Sequence, residues 1–212
     1  MKNQMRWTAG VLAAAIAAGS ILYAPALPVR AKAPYDTHWN EQYSWMATMT
    51  EALQKNTDAT AVYREIRLAL RYQVINELNI YQLYLDPTTV FPLEAATRLY
   101  QEGLISPFLY KLLAHIPLTA ADLADVYDPA WYYGANPAIN QVLPYDENLL
   151  FENFLNCGMV VGLPGNAAFN LDIYKANYPE LVKAFGAYNP AYYQYYILFG
   201  KKAGQKADRR IN

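Results

Sequence analysis

The sequence predicts an all-α fold: an N-terminal helical bundle over residues 36–125, followed by two stacked 42-residue helical repeats. Three observations predict it. Apolar residues of the first half recur at spacings of three and four, as on one face of a helix. A shift of 42 residues aligns caps, prolines, glycines and aromatic positions of the C-terminal half without a gap. No stretch alternates apolar and polar residues as a half-buried strand does.

Residues 1–31 precede the fold. Lys2 and Arg6 open them, an uncharged Ala-rich run extends from Trp7 to Tyr23, and Pro25, Pro28 and Arg30 follow, with small residues at Ala26, Ala31 and Ala33. This is the layout of a bacterial secretory signal. Cleavage is expected after Ala31, since cleavage after Ala33 would leave Pro34 just downstream. A retained run would be just long enough to span a bilayer, so membrane attachment is expected only in that case. No cysteine stands near its end to take a lipid. Removal takes three of the 17 Lys and Arg (Lys2, Arg6, Arg30) against an unchanged 18 Asp and Glu, for a net charge of −4. That balance argues against a nucleic-acid partner. Cys157 is the single cysteine, so no internal disulfide can form; it aligns with Phe199 and is expected to be a small buried hydrophobe. Tyrosine is over-used, 20 against 7 Phe.

In the bundle, a helix is expected from about Trp39 to Lys55. Val62, Ile66, Leu70, Val74, Leu78, Tyr81 and Leu85 then form one stripe, read as a single long helix capped by Thr57 or Asp58 and stopped by Asp86-Pro87. Pro92 opens a further helix as its first residue and Gly103 closes it; Pro107 opens another that ends near Pro117. Thr119 and Asp122 make a capping-box-like start for a short last helix. Arg64, Arg67 and Arg71 share one helical face and could hold an anionic ligand; carboxylate partners such as Glu65 are the blander expectation. His38 and His115 lack the companions of a metal site, and neither a metal nor a cofactor is expected.

In the repeats, residues 126–166 and 168–207, Tyr132, Pro137, Gly158 and Gly162 are identical to Tyr174, Pro179, Gly200 and Gly204. Asp128 and Asn170 are the expected N-caps, and Asn136-Pro137 and Tyr178-Pro179 end or kink the first helix of each copy. A second helix starts near Asp146 and at Asn189-Pro190. It is expected to end at Gly158 and Gly200 in the left-handed conformation. A unit this small must stack on a neighbour to bury its apolar face.

The stretch Phe169-Asn170-Leu171-Asp172-Ile173-Tyr174-Lys175-Ala176-Asn177-Tyr178-Pro179-Glu180-Leu181, with Ala184-Phe185-Gly186 and Tyr192-Tyr193-Gln194-Tyr195-Tyr196-Ile197-Leu198-Phe199-Gly200, resembles a tandem aromatic-rich helical repeat. Such repeats end many secreted and cell-wall-associated bacterial proteins; Tyr127-Asp128 through Gly162 is similar to the copy that precedes. The resemblance covers about residues 126–207. It implies a secreted or cell-envelope location and a non-catalytic binding or structural role, with cell-wall or capsular polysaccharide or another envelope protein as partner. This chain departs from the pattern at Ala138, at Asn153 and Tyr195 in place of a His, and at Val161-Gly162-Leu163 and Ala203-Gly204-Gln205 in place of Glu-Gly-Arg.

Residues 100° apart cover all sides of a helix, so some of Tyr192, Tyr193, Tyr195 and Tyr196 are expected to face outward. With Trp131 and Tyr133, exposed rings of Tyr192, Tyr193 and Tyr195 could stack on sugar faces; packing of repeat on repeat with partly wet edges is the blander expectation. The basic tail, residues 208–212 with Lys201, Lys202 and Lys206 ahead of it, is expected to be solvated and disordered, with anionic wall polymer or anionic lipid as an alternative partner. A glycan-active hydrolase would need two carboxylates such as Glu41, Glu51 or Glu77 across a cleft; a helical adaptor would dock partners on the long helix.

Overall fold

The computed structural model describes residues 37–55 and 58–211, with side chains in the first helix from Ser44 onward. Residues 1–36, on which the expected signal falls, the side chains of His38, Trp39 and Glu41, and Thr57 lie outside the described residues. The described residues are helical, with only isolated backbone bridges at Tyr127–Gly165 and Asn166–Phe169. They divide into two compact units at Pro117–Leu118, earlier than the expected border at 125. The turn Ala120–Leu123 goes with the second unit because Leu123 and Val126 are buried there and the Ala124 carbonyl accepts from Asn166 Nδ2 at 3.4 Å.

The first unit holds α1 (Thr37–Gln54), α2 (Ala59–Arg71), α3 (Glu77–Leu85), α4 (Leu93–Gln101) and α5 (Pro107–Leu113). Asp58 caps α2 by accepting from Ala61 N–H at 2.9 Å. The single long helix expected over Val62–Leu85 is instead two. Gln73 turns left-handed at φ +56°, with Gln73 N–H on the Leu70 carbonyl and Val74 N–H on that of Ala69, which satisfies the last carbonyls of α2. Asn76 then caps α3 in a box with Asn79. Gly103 and His115 close α4 and α5 by the same pattern. Pro92 is the N-cap of α4, one place earlier than expected. The core of the unit is Leu53, Ile66, Ile80, Leu83, Ala95, Ala96, Leu99 and Leu109.

The second unit runs α6 (Pro129–Ala135), α7 (Pro137–Asn140), α8 (Glu147–Asn153), a wide π-turn over Phe154–Gly158, α9 (Met159–Val161), α10 (Leu171–Asn177), α11 (Pro179–Phe185), α12 (Asn189–Tyr195) and a second π-turn over Tyr196–Gly200. Asp128 accepts from Trp131 N–H at 2.7 Å and Asn170 from Ile173 N–H at 3.1 Å. Asp128 N–H donates to the Gly165 carbonyl at 3.0 Å, and Asn170 N–H to that of Ala207 at 2.9 Å. Gly158 and Gly200 are not the left-handed closers expected: Gly158 stays helical at φ −54°, and the left-handed residues are Gly162 (φ +86°) and Gly204 (φ +70°). A different constraint keeps positions 158 and 200 bare. A Cβ would stand 2.7 Å from the Tyr132 hydroxyl at Gly158 and 2.5 Å from the Tyr174 hydroxyl at Gly200.

Rings make the core. Tyr127 packs on Tyr132, Phe151 and Phe154 at centroid distances of 5.7, 5.6 and 4.7 Å. Phe169 packs on Tyr174, Tyr193 and Tyr196 at 5.2, 4.7 and 5.0 Å. Tyr132–Phe154 and Tyr174–Tyr196 are both edge-on, at 5.2 and 5.4 Å. Each of the four contacts in the first set has its counterpart 42 residues on.

Candidate functional site

The tyrosine surplus is mostly internal. Tyr192 and Tyr193 are 0 % exposed and Tyr195 2 %, which overturns their expected exposure as sugar-stacking rings. The reason is local. Tyr192 and Tyr195 of α12 pack on Phe185 of α11, while Tyr193 meets Phe154 and donates to the Leu163 carbonyl at 2.8 Å. A helix apolar on all sides is a buried helix. Burial pushes the Tyr192 and Tyr195 phenols up to about 12 and Tyr193 higher; the Tyr192 hydroxyl donates to the Gly186 carbonyl and that of Tyr193 to the Leu163 carbonyl.

Trp131 and Tyr133 are half-buried on either side of the buried Tyr132. A third ring joins them that the sequence reading missed. Tyr145, 50 % exposed, stands edge-on to Tyr133 at 5.5 Å. Its only sequence signal was the alignment with Ala187, a large ring where the second segment has a methyl group. Tyr133 is tethered across the α6–α7 kink by Asn140, whose Nδ2 donates to the Tyr133 carbonyl at 3.4 Å. The Tyr145 phenol is raised by desolvation, then by the Glu147 and Asp128 carboxylates. The result is a ring pair with Tyr145 exposed and Tyr133 half-buried, chemistry suited to the apolar face of a sugar ring.

Of Arg64, Arg67 and Arg71, two share one carboxylate. Glu102, on the turn after α4, accepts from Arg67 Nε at 2.7 Å, lies 3.5 Å from Arg71 and takes the Tyr63 hydroxyl. Arg98 covers the Tyr63 ring at 3.8 Å from its centroid. The Tyr63 hydrogen bond, then the one from Arg67, holds the Glu102 carboxyl below its ordinary value. The partner is thus Glu102 and not Glu65, and Arg64 is exposed outside the cluster.

Cys157 is exposed, contrary to expectation, because it lies on the outer side of the π-turn whose inner side holds Phe154 and Gly158. The Lys55 hydrogen bond and charge hold Glu51 below the ordinary carboxyl value, opposite to what a general acid needs, and Glu77 accepts from Ser106 N–H at 2.7 Å. Among the described residues no three His, Cys, Asp or Glu are grouped to hold a metal ion, and no helix is long and apolar enough to cross a membrane. The tail is tied down: Asn177 Nδ2 donates to the Lys206 and Arg209 carbonyls, and Asn177 Oδ1 accepts from Ile211 N–H. Its cations stay exposed; Lys201 pairs with Asp125, and Arg209 stands 3.7 Å from Asp208. No family model, curated protein or solved structure matches the chain.

Proposed function

We propose that this chain is a non-catalytic, exported protein of the bacterial cell envelope, built on two copies of one repeat (residues 127–162 and 169–204), that contacts cell-wall or capsular glycan through Tyr145, Tyr133 and Trp131. The Tyr133–Tyr145 pair carries the glycan reading, because Tyr145 is exposed while the unit's other tyrosines are buried or half-buried. The repeat reading is supported by caps, π-turns, left-handed glycines and ring contacts that recur at an interval of 42 residues. The export reading is supported by the charge and hydropathy order of residues 1–31 and by the resemblance of residues 126–207 to repeats of envelope proteins.

The test is retention of the mature chain on purified cell wall. Tyr145→Ala and Trp131→Ala are each expected to lower retention about three- to tenfold, the range a single aromatic contact supports. Unchanged retention with an intact helical circular-dichroism spectrum overturns the glycan reading. Recovery of the native protein in the cytoplasmic fraction overturns the envelope reading.

A further inference from the structure

Within the second unit the second segment docks on the end of the first, and the contact is specific. Asn189 Nδ2 donates to the Val160 carbonyl at 2.9 Å, the Tyr193 hydroxyl donates to the Leu163 carbonyl at 2.8 Å, and the Tyr193 ring stands edge-on to Phe154 at 5.8 Å. A Cβ on Gly162 would meet Leu171 at 2.7 Å and Asn189 at 3.3 Å, so the segments close tightly around that glycine. The receiving end is thus Val160, Gly162 and Leu163, and the entering face is Leu171, Asn189 and Tyr193.

Each of these surfaces has a counterpart 42 residues away that is open in part: Lys202 and Gly204 are exposed, while Gln205, in the place of Leu163, is buried with its side chain on the Tyr174 hydroxyl. Gly204, the counterpart of Gly162, would have nothing within 4 Å of an added Cβ. Ile211, where the first segment is followed by the fully buried Phe169, is 54 % exposed. On the entering side, Leu171, Asn189 and Tyr193 correspond to Pro129, Glu147 and Phe151; Glu147 is exposed and the other two are half-buried. The open surfaces also carry opposite charge. The exposed Asp128, Asp146 and Glu147 lie on the entering side, and the exposed Lys202, Lys206, Arg209 and Arg210 on the receiving side. Repeating the internal docking once more sets the exposed Glu147 beside the exposed Lys202, which replaces Val160.

We propose that a second copy of this chain docks head to tail, the Pro129–Glu147–Phe151 face of one molecule on the Lys202–Gly204–Gln205 end of another, with an intermolecular Glu147–Lys202 ion pair in place of the internal Asn189–Val160 hydrogen bond. It rests on the repeat reading. The glycan-contact rings Trp131, Tyr133 and Tyr145 are not among the docking counterparts. Such a contact is heterologous, so it grows into open chains unless its rotation closes a ring, and screening by salt weakens it.

Sedimentation velocity of the mature chain across a concentration series tests this. The expected result is a growing series of oligomers that recedes as salt is raised. Glu147→Lys and Lys202→Glu each shift the association midpoint about tenfold upward, and the double variant returns it to within about twofold of wild type. A monomer at every concentration overturns the proposal, as do single reversals without effect or a double variant that fails to recover. Asn189→Ala, read by thermal unfolding of the same chain, separates the two readings. A lowered midpoint without oligomers sinks the self-docking alone, whereas an unchanged midpoint sinks the internal stacking and the self-docking with it.

Discussion

Tyr132 and Tyr174 occupy the same place in their segments, yet their hydroxyls are satisfied differently. Tyr132 donates to Asn153 Oδ1 at 2.7 Å from the second helix, whereas Tyr174 donates to Gln205 Oε1, beyond the second π-turn. The corresponding positions, Tyr195 opposite Asn153 and Leu163 opposite Gln205, do not take these hydroxyls; Tyr195 itself hydrogen-bonds Gln205. A buried hydroxyl needs one partner, and it does not matter which of two neighbouring positions supplies it. Tyr127 has no such solution. Its ring is 3 % exposed and its hydroxyl has no hydrogen-bond partner, while burial holds the phenol far above its ordinary value. The counterpart, Phe169, shows that the site needs only the ring. Tyr127→Phe is therefore expected to raise stability by up to about 1 kcal/mol, because it removes a polar group buried without compensation. Urea unfolding of wild type and variant measures it, and a loss of stability would mean that the hydroxyl has a partner.

At the scale of elements, the helical class and nearly every start were legible because caps act locally. Asp58, Ser106, Asp128, Asp146 and Asn170 all accept from their own first turns. The α2–α3 break was not legible. The spacing of Ile66, Leu70, Val74 and Leu78 stays helical across it, and a Gln takes the left-handed position that usually announces itself as Gly. The end of the second helix was misread for a related reason. A glycine required by a close ring looks the same in sequence as one required by φ, and a π-turn leaves no compositional mark. Ring exposure was legible least, because it depends on which elements surround α12. Between elements, Glu102 joins the end of α4 to Tyr63, Arg67 and Arg71 on α2, and its depressed pKa gives a pH dependence of definite sign. A carboxyl whose folded value lies below the unfolded one, ordinarily 4.5, contributes stability above that value and loses it as pH falls through the folded value. Acidification from pH 6 to about 3 is thus expected to destabilise the first unit less in Glu102→Gln than in wild type. Urea midpoints at the two pH values read the difference, and equal losses would mean that Glu102 holds the helices through packing alone.

At the scale of the molecule, one line of rings runs through both segments of the second unit. Tyr127, Phe154, Tyr193 and Phe169 touch in succession, at centroid distances of 4.7, 5.8 and 4.7 Å, and the middle contact crosses from one segment to the other. Tyr193 is the hinge of this arrangement, because its ring serves the core of the second segment while its hydroxyl closes the Leu163 carbonyl of the first. Tyr193→Phe keeps the ring and leaves that carbonyl without its donor, at an expected cost of about 1–2 kcal/mol. The distribution of the loss is more informative than its size. If the segments form one cooperative body, slow-exchanging amides throughout 129–161 and 171–200 should lose protection by the same free energy, since both sets open through the same global event. Native-state hydrogen exchange resolves the two sets. A loss confined to 171–200 would show that the first segment holds its own core without the second, and the hydrogen bond across the joint would then serve alignment and not folding.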